Sequence, residues 1–236
     1  MTDIENRRGF LRVLGGVTAF AGFGQAFGQT ATPVAAAAVP KSPAELLNLA
    51  TTAEALAVTF YFHALSGAQF RMDDDTRQQL GRVLQAEQHH LELLTSLGGK
   101  PLTRTFNLPA DLNSDARSFA ETGLQLEAVF TSAYIAATHQ FAELGHPELA
   151  ATAAQLGASE AQHLSLLSQL AGFGSGELTL PTASLRQLTD APPVLAPYLA
   201  GGRVPLPGAA AVQTLCGAAE SSPRAFVQAF SASRRG

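Results

Sequence analysis

Apolar residues recur at the three- and four-residue spacing of an α-helix in four long segments of the chain. Capping signals precede the first two segments. Ser42-Pro43-Ala44-Glu45 has the sequence of a capping box with proline at the first helical position, and the acidic run Asp73-Asp74-Asp75 can cap the second helix. Gly98-Gly99 ends the second segment, and Gly145-His146-Pro147 separates the third from the fourth. The pattern predicts an all-α fold whose helices span about residues 43–70, 73–97, 114–144 and 147–171.

The connection between the second and third predicted helices, residues 98–113, contains Pro101 and Pro109 and has no helical period. A helix of about 26 residues is about 39 Å long, and an extended segment of about 16 residues spans up to about 53 Å. The connection can therefore run the full length of a bundle and start the third helix at the opposite end. We predict a four-helix bundle over residues 42–172 with one long crossover, because an up-down-up-down bundle needs only short loops.

Both ends of the chain lie outside this helical pattern. Asn6-Arg7-Arg8-Gly9-Phe10-Leu11-Arg12, followed by a Gly-rich apolar stretch, resembles a bacterial twin-arginine export signal, which we assign to residues 1–28. A Sec-type signal or an uncleaved anchor is the alternative. Residues 29–41 are predicted to be a Thr/Ala/Pro linker. Residues 173–236 are predicted to form an irregular C-terminal extension with short helices, which either straps the bundle or binds a partner.

An internal repeat relates the two halves of the predicted bundle. Each half is a helical hairpin with a glutamate on its first helix and a Glu-x-x-His motif on its second, 33 residues later in both cases. A shift of 73 residues superposes four pairs: Glu54 and Glu127, Tyr61 and Tyr134, Glu87 and Glu160, His90 and His163.

The repeated residues have the types and the spacing of metal ligands. Residues i and i+3 lie on one helix face, so each Glu-x-x-His aims two ligands the same way. Each upstream glutamate lies on an apolar helix face, where a carboxylate is costly unless it is paired or bound to a cation. Two divalent ions would balance the four carboxylates, and oxygen and nitrogen ligands suit Fe or Mn. The predicted ligands of two Fe or two Mn ions are Glu54, Glu87, His90, Glu127, Glu160 and His163.

This ligand set resembles that of the ferritin-like superfamily, in which two helices give one Glu each and the other two give a Glu-x-x-His each. More narrowly, the chain resembles exported ferritin-like proteins that include the desiccation-related group. That likeness rests on Tyr61 and Tyr134, each seven residues after a ligand glutamate, the first preceded by Phe60. The resemblance covers about residues 42–172 and leaves the C-terminal extension unmatched.

The resemblance implies roles for the ligands. Glu87 and Glu160 would bridge the two metals, Glu54 and Glu127 would be terminal ligands, and the histidine of each Glu-x-x-His motif would bind one metal. Tyr61 and Tyr134 are candidates for contacts with the ligands, and half-buried core tyrosines are the alternative. Whether the site is catalytic stays open. Ferritin-like relatives suggest a ferroxidase or a peroxide-consuming oxidoreductase.

Composition excludes several classes of protein. The net charge is −4 and no basic cluster stands out, so nucleic acid is not expected as a partner. The single cysteine, Cys216, excludes an intrachain disulfide and a multi-cysteine metal site.

We therefore expect an exported protein that handles metal ions and O2 or peroxide in the periplasm or cell envelope. The rival hypothesis is a non-catalytic envelope or stress-protection protein that uses the bundle as a scaffold. A homo-oligomer stays open, and membrane contact is expected only through an uncleaved signal.

Overall fold

The computed structural model describes residues 42–171 and 183–217, and the predicted signal (1–28) and linker (29–41) lie outside them. Four long helices form the body of the fold, and their predicted bounds are correct to within a few residues. The helices are α1 (Pro43–Gly67), α2 (Asp74–Ser96), α3 (Ala116–Glu143) and α4 (Pro147–Leu170).

Polar side chains fix the starts of three of these helices. Ser42 and Glu45 form the predicted capping box at α1, with both reciprocal hydrogen bonds present. Asp73 caps α2 and Asp115 caps α3. The α1 helix ends before Phe70, up to which the apolar pattern had been expected to continue as helix. Phe70 lies in the loop after α1, where its apolar ring stacks on an aromatic ring of α3, at 6.1 Å between centroids.

The crossover between α2 and α3 runs alongside α1. Near the start of α1, the Lys100 backbone N–H donates to the Asn48 side chain at 2.8 Å. Just beyond the end of α1, the Gln69 N–H donates to the Asn113 carbonyl at 2.7 Å. The crossover therefore follows α1 over most of its length and delivers α3 to the opposite end of the bundle, as its length predicted.

The described part of the C-terminal extension has short elements of its own. It contains a 3-10 turn (Leu188–Asp190), helix α5 (Ala191–Leu199) and helix α6 (Ala209–Cys216). Between the two helices, strand β2 (Val204–Pro205) pairs antiparallel with strand β1 (Thr105–Phe106) of the crossover. No pattern in the sequence predicts this pairing, which joins the two irregular parts of the chain.

Hydrogen bonds fasten the extension to the bundle. The backbone N–H of Leu185 donates to Ser132 Oγ at 2.8 Å, and that of Leu188 donates to Gln140 Oε1 at 2.7 Å. Both acceptors are buried side chains of α3. At α6, the Cys216 thiol donates to a backbone carbonyl of α2 at 3.4 Å. Residues 183–217 thus lie across the bundle, and we call them the strap.

One hydrophobic core includes both the bundle and the strap. Leu188, Leu195 and Val212 of the strap are buried in the same cluster as the apolar residues of the four long helices. Among the described residues, no helix has the length and apolarity needed to cross a membrane.

Candidate metal centre

The four long helices direct all six predicted ligands into the middle of the bundle. Glu54 comes from α1 and Glu127 from α3, while α2 and α4 each contribute one Glu-x-x-His pair. None of the four glutamates is more than 2% exposed, and neither histidine is more than 8% exposed. The carboxylates therefore lie in the core rather than in water, as their apolar flanking residues predicted.

The six residues form two overlapping groups of donor atoms. Within each group, one atom from each residue lies within 4.8 Å of the corresponding atoms of the others. Glu87 and Glu160 belong to both groups. The first group is completed by Glu54 and His90, and the second by Glu127 and His163.

Each histidine turns its Nδ1 atom toward the carboxylates. His90 Nδ1 lies 3.5 Å from Glu54, 3.4 Å from Glu87 and 3.2 Å from Glu160. The nearest carboxylate to His90 is thus a glutamate of the other half of the repeat.

The second histidine repeats this arrangement. His163 Nδ1 lies 2.7 Å from Glu87, 3.2 Å from Glu160 and 3.9 Å from Glu127. The two imidazole rings face each other with 6.1 Å between their centroids and an interplanar angle of 23°. The site therefore has an approximate twofold symmetry, which matches the pairs of residues that the 73-residue repeat superposes.

Two buried tyrosines hold the glutamates of α1 and α3 in place. The Tyr61 hydroxyl on α1 donates to Glu127 on α3, and the Tyr134 hydroxyl on α3 donates to Glu54 on α1. Each tyrosine thus contacts the ligand of the opposite helix. The glutamate on its own helix is seven residues away, which is about 10 Å along the axis and beyond reach.

The donors present do not satisfy the carboxylates. Buried oxygens of all four glutamates, and Nδ1 of His90, lack a hydrogen-bond partner. Buried polar atoms are normally paired, because leaving one unpaired costs about 1–3 kcal/mol and more for a charged group. Carboxylate oxygens that converge on one volume with too few donors for all of them are the surroundings that a cation requires. The residues fit a site for metal ions with oxygen and nitrogen ligands.

Burial and mutual repulsion shift the protonation of these groups. Burial raises the pKa of Glu127 well above its usual value, and the neighbouring carboxylates raise it further. Burial alone would lower the pKa of His90 and of His163, but the surrounding carboxylates outweigh it and raise both well above their usual value. Burial also raises the pKa of both tyrosines, so their hydroxyls keep their protons and remain donors.

One polar core residue next to the site was missed by the sequence analysis. Thr131 is one turn after Glu127, and its hydroxyl is buried without a hydrogen-bond partner. By contrast, the equally buried Thr59 donates to the carbonyl four residues before it, at 2.7 Å. The repeat could have drawn attention to Thr131, because the corresponding position in the first half is the apolar Val58 and the two halves differ there.

The other histidines described by the structure lie outside the cluster. His63 contacts Asn113 of the crossover at 3.1 Å, and His139 pairs with Glu143 on the exposed face of α3. His146 is the N-cap residue of α4. Glu143 precedes His146 by three residues, but α3 ends at Glu143 and both side chains are exposed, so this pair does not repeat the two buried Glu-x-x-His pairs.

A family model for the ferritin-like domain matches residues 42–172. The chain belongs to the ferritin-like domain family. The span of that ferritin-like domain starts at the N-cap of α1 and ends just after α4, so it includes all six ligand candidates. No curated protein and no solved structure matches the chain. A ferritin-like bundle with a buried Glu and His cluster can hold metal ions.

Proposed function

We propose that this ferritin-like protein binds a carboxylate-bridged pair of Fe or Mn ions and is exported to handle metal and oxidants in the cell envelope. Fe(II) oxidation or peroxide removal is the activity that this site would serve. The observation that supports the proposal is the sharing of Glu87 and Glu160 by both donor groups. Membership of the exported ferritin-like proteins that include the desiccation-related group is part of this proposal, and its support is the position of Tyr61 and Tyr134, each seven residues after a glutamate of the cluster.

The donor groups divide the ligands between two ions. Glu54 and His90 would bind one ion, and Glu127 and His163 the other, with the shared glutamates between them. Four carboxylates and two divalent cations make a neutral set, which removes the cost of burying unpaired charge. When bound, such a pair of ions can exchange electrons with O2 or peroxide.

The protein's own residues orient the ligands and exclude water. Tyr61 and Tyr134 each occupy one oxygen of a terminal glutamate, which leaves the other oxygen free for an ion. The glutamates are at most 2% exposed, whereas the two histidines keep 6–8% of their surface open. The histidine side is therefore the more accessible side of the site for a small oxidant.

Metal analysis tests the proposal directly. We expect close to two Fe or Mn ions per chain after reconstitution of the purified protein, and loss of both in the double variant Glu87→Ala with Glu160→Ala. The matched control is Glu92→Ala with Glu148→Ala, which removes exposed glutamates from the same two helices. The proposal would be wrong if the native protein bound less than about one ion per chain, or if the double variant bound as much metal as the native protein.

A second experiment separates the metal protein from the non-catalytic scaffold. A scaffold predicts that His90→Ala changes the melting temperature equally with and without added metal. A metal site predicts that the variant loses the stabilisation that added metal gives to the native protein. Thermal melting in EDTA and in excess Mn(II) distinguishes the two.

Export is proposed from the twin-arginine pattern alone. Replacing both Arg7 and Arg8 by lysine should retain the protein in the cytoplasm, because the twin-arginine receptor recognises that pair. Cell fractionation measures the outcome, with Arg12→Lys as the control. Unchanged export of the paired-lysine variant would favour a Sec-type signal.

A further inference from the structure

Thr131 lies on the face of α3 that carries its contacts with the ligand cluster. It is four residues after the ligand candidate Glu127 and three before Tyr134, whose hydroxyl donates to Glu54. Residues three and four apart share one face of a helix, and a helical side chain leans back over the turn that precedes it. The Thr131 side chain is therefore directed toward the turn that carries Glu127.

The hydroxyl of Thr131 is a buried donor that has no acceptor among the described residues. A threonine inside a helix commonly donates to the carbonyl four residues before it. Seven other threonines of the described helices do so, at 2.6–3.0 Å, and Thr138 on the same helix is one of them. Because Thr131 does not make this bond, its hydroxyl is left for another acceptor beside the cluster.

The nearest carboxylate along the helix does not serve as that acceptor. One oxygen of Glu127 accepts from Tyr61, and the other is buried without a partner although Thr131 is only one turn away. An ion bound to that second oxygen would withdraw electron density from it and weaken it further as an acceptor. The hydroxyl therefore needs a third group, which the protein itself does not supply within the described residues.

The other half of the repeat shows that packing does not require this hydroxyl. Val58, which has nearly the shape of threonine, is fully buried at the corresponding position, four residues after Glu54. The donor group that contains Glu54 therefore has no counterpart of Thr131, whereas the group that contains Glu127 has one. The two sides of the candidate metal centre differ by one hydrogen-bond donor.

We propose that Thr131 is a specificity-determining residue, whose hydroxyl donates to a small anion that binds on the Glu127 side of the metal centre. The inference rests on the proposed function, since bound ions would attract the anion. Two trivalent ions outweigh the charge of the four carboxylates, so an oxidised centre favours an anionic ligand. The hydroxyl on one side then selects where that ligand binds, because the valine on the other side offers it no donor.

Titration with azide, a small anion that accepts hydrogen bonds, tests the proposal. In Fe(III)- or Mn(III)-loaded protein, the charge-transfer absorption of the azide adduct gives the Kd. A hydrogen bond to a charged group corresponds to about tenfold or more in affinity, so Thr131→Val should raise the azide Kd by about that factor. Thr131→Ser keeps the hydroxyl and should stay within about twofold of the native Kd. The matched control is Thr59→Val, which removes an equally buried hydroxyl that is bonded within its own helix and should leave the Kd unchanged.

Metal content per chain separates this proposal from the proposed function. If the native chain binds no metal, the proposed function fails and the anion site fails with it. A loaded native protein that does not bind azide overturns the anion site alone, as does an equal azide Kd in loaded native protein and loaded Thr131→Val, or an equal loss of affinity in Thr59→Val. A crystal structure of the azide adduct should place azide within hydrogen-bond distance of Thr131, and azide on the Val58 side would overturn the assignment.

Discussion

The sharing of two glutamates between two donor groups predicts an unequal effect of two similar substitutions. Glu87→Gln and Glu54→Gln both replace a buried carboxylate by an amide of the same shape. Glu87 belongs to both groups and Glu54 to only one. We therefore expect Glu87→Gln to weaken the binding of both ions and Glu54→Gln to weaken the binding of one.

The expected magnitudes follow from linkage between binding and folding. An ion present at about 100 times its Kd stabilises the folded state by about 2.7 kcal/mol, so two ions give about 5 kcal/mol. In a domain of this size, 1 kcal/mol shifts the Tm by about 2–4 °C. Added Mn(II) should thus raise the native Tm by about 10–20 °C, with about half of that gain in Glu54→Gln and little in Glu87→Gln.

Without metal, the two variants should be at least as stable as the native protein. Each glutamate has a buried oxygen with no hydrogen-bond partner, and carboxylates gathered so closely repel one another, so a neutral amide costs less to bury in either position than a further negative charge. The measurement is thermal melting by circular dichroism in EDTA and in excess Mn(II), together with metal content per chain. Glu92→Gln, at an exposed position of α2, is the control for the loss of one charge.

Two outcomes would refute this reasoning. Equal losses of metal-dependent stabilisation in Glu54→Gln and Glu87→Gln would show that the glutamates are not divided into shared and unshared ligands. A full gain in Tm in both variants would place the metal elsewhere on the chain.

Three further predictions concern single contacts. Tyr61→Phe leaves another oxygen of Glu127 without a donor and should lower the unfolding free energy by about 1–3 kcal/mol in urea titrations; an unchanged midpoint would contradict the hydrogen bond. Thr131→Val removes an unpaired buried hydroxyl and should leave the urea midpoint unchanged or raise it, whereas Thr59→Val removes a bonded hydroxyl and should lower it. Gly202→Ala would place Cβ about 2.4 Å from backbone atoms of the crossover, so it should lower the Tm measurably and loosen the β1–β2 pairing in hydrogen exchange; native-like melting would show that the strap can shift freely.

The helices and the ligand set could be predicted because their signals are local. Caps such as Ser42 and Asp73 lie within one turn of the helix ends that they fix. The Glu-x-x-His spacing places two side chains on one face whatever surrounds the helix. The repeat then supplied the symmetry of the site, because two copies of one hairpin meet in one core.

The contacts between distant segments could not be predicted in this way. The Tyr61 hydroxyl donates a hydrogen bond to a glutamate 66 residues away. Which glutamate it reaches depends on how α1 and α3 are staggered, and no local pattern encodes that. The β1–β2 pairing joins Thr105 to Pro205 through strands of only two residues. Two residues are too few to show an alternation of apolar and polar positions. The prediction that α1 extends to Phe70 was wrong for a related reason. Phe70 is a loop residue that packs on a ring of α3, and its apolar side chain therefore fits the helical pattern of α1 by coincidence.

The donor groups also explain why the two halves of the repeat need each other. The first hairpin, α1 and α2, supplies three ligands of the first group, and its fourth ligand, Glu160, comes from α4. The second hairpin supplies three ligands of the second group, and its fourth, Glu87, comes from α2. Neither hairpin completes a group alone, and the crossed tyrosines repeat this exchange in the surrounding hydrogen bonds. An ion in either group would therefore oppose separation of the two hairpins, so metal binding and bundle assembly should be coupled.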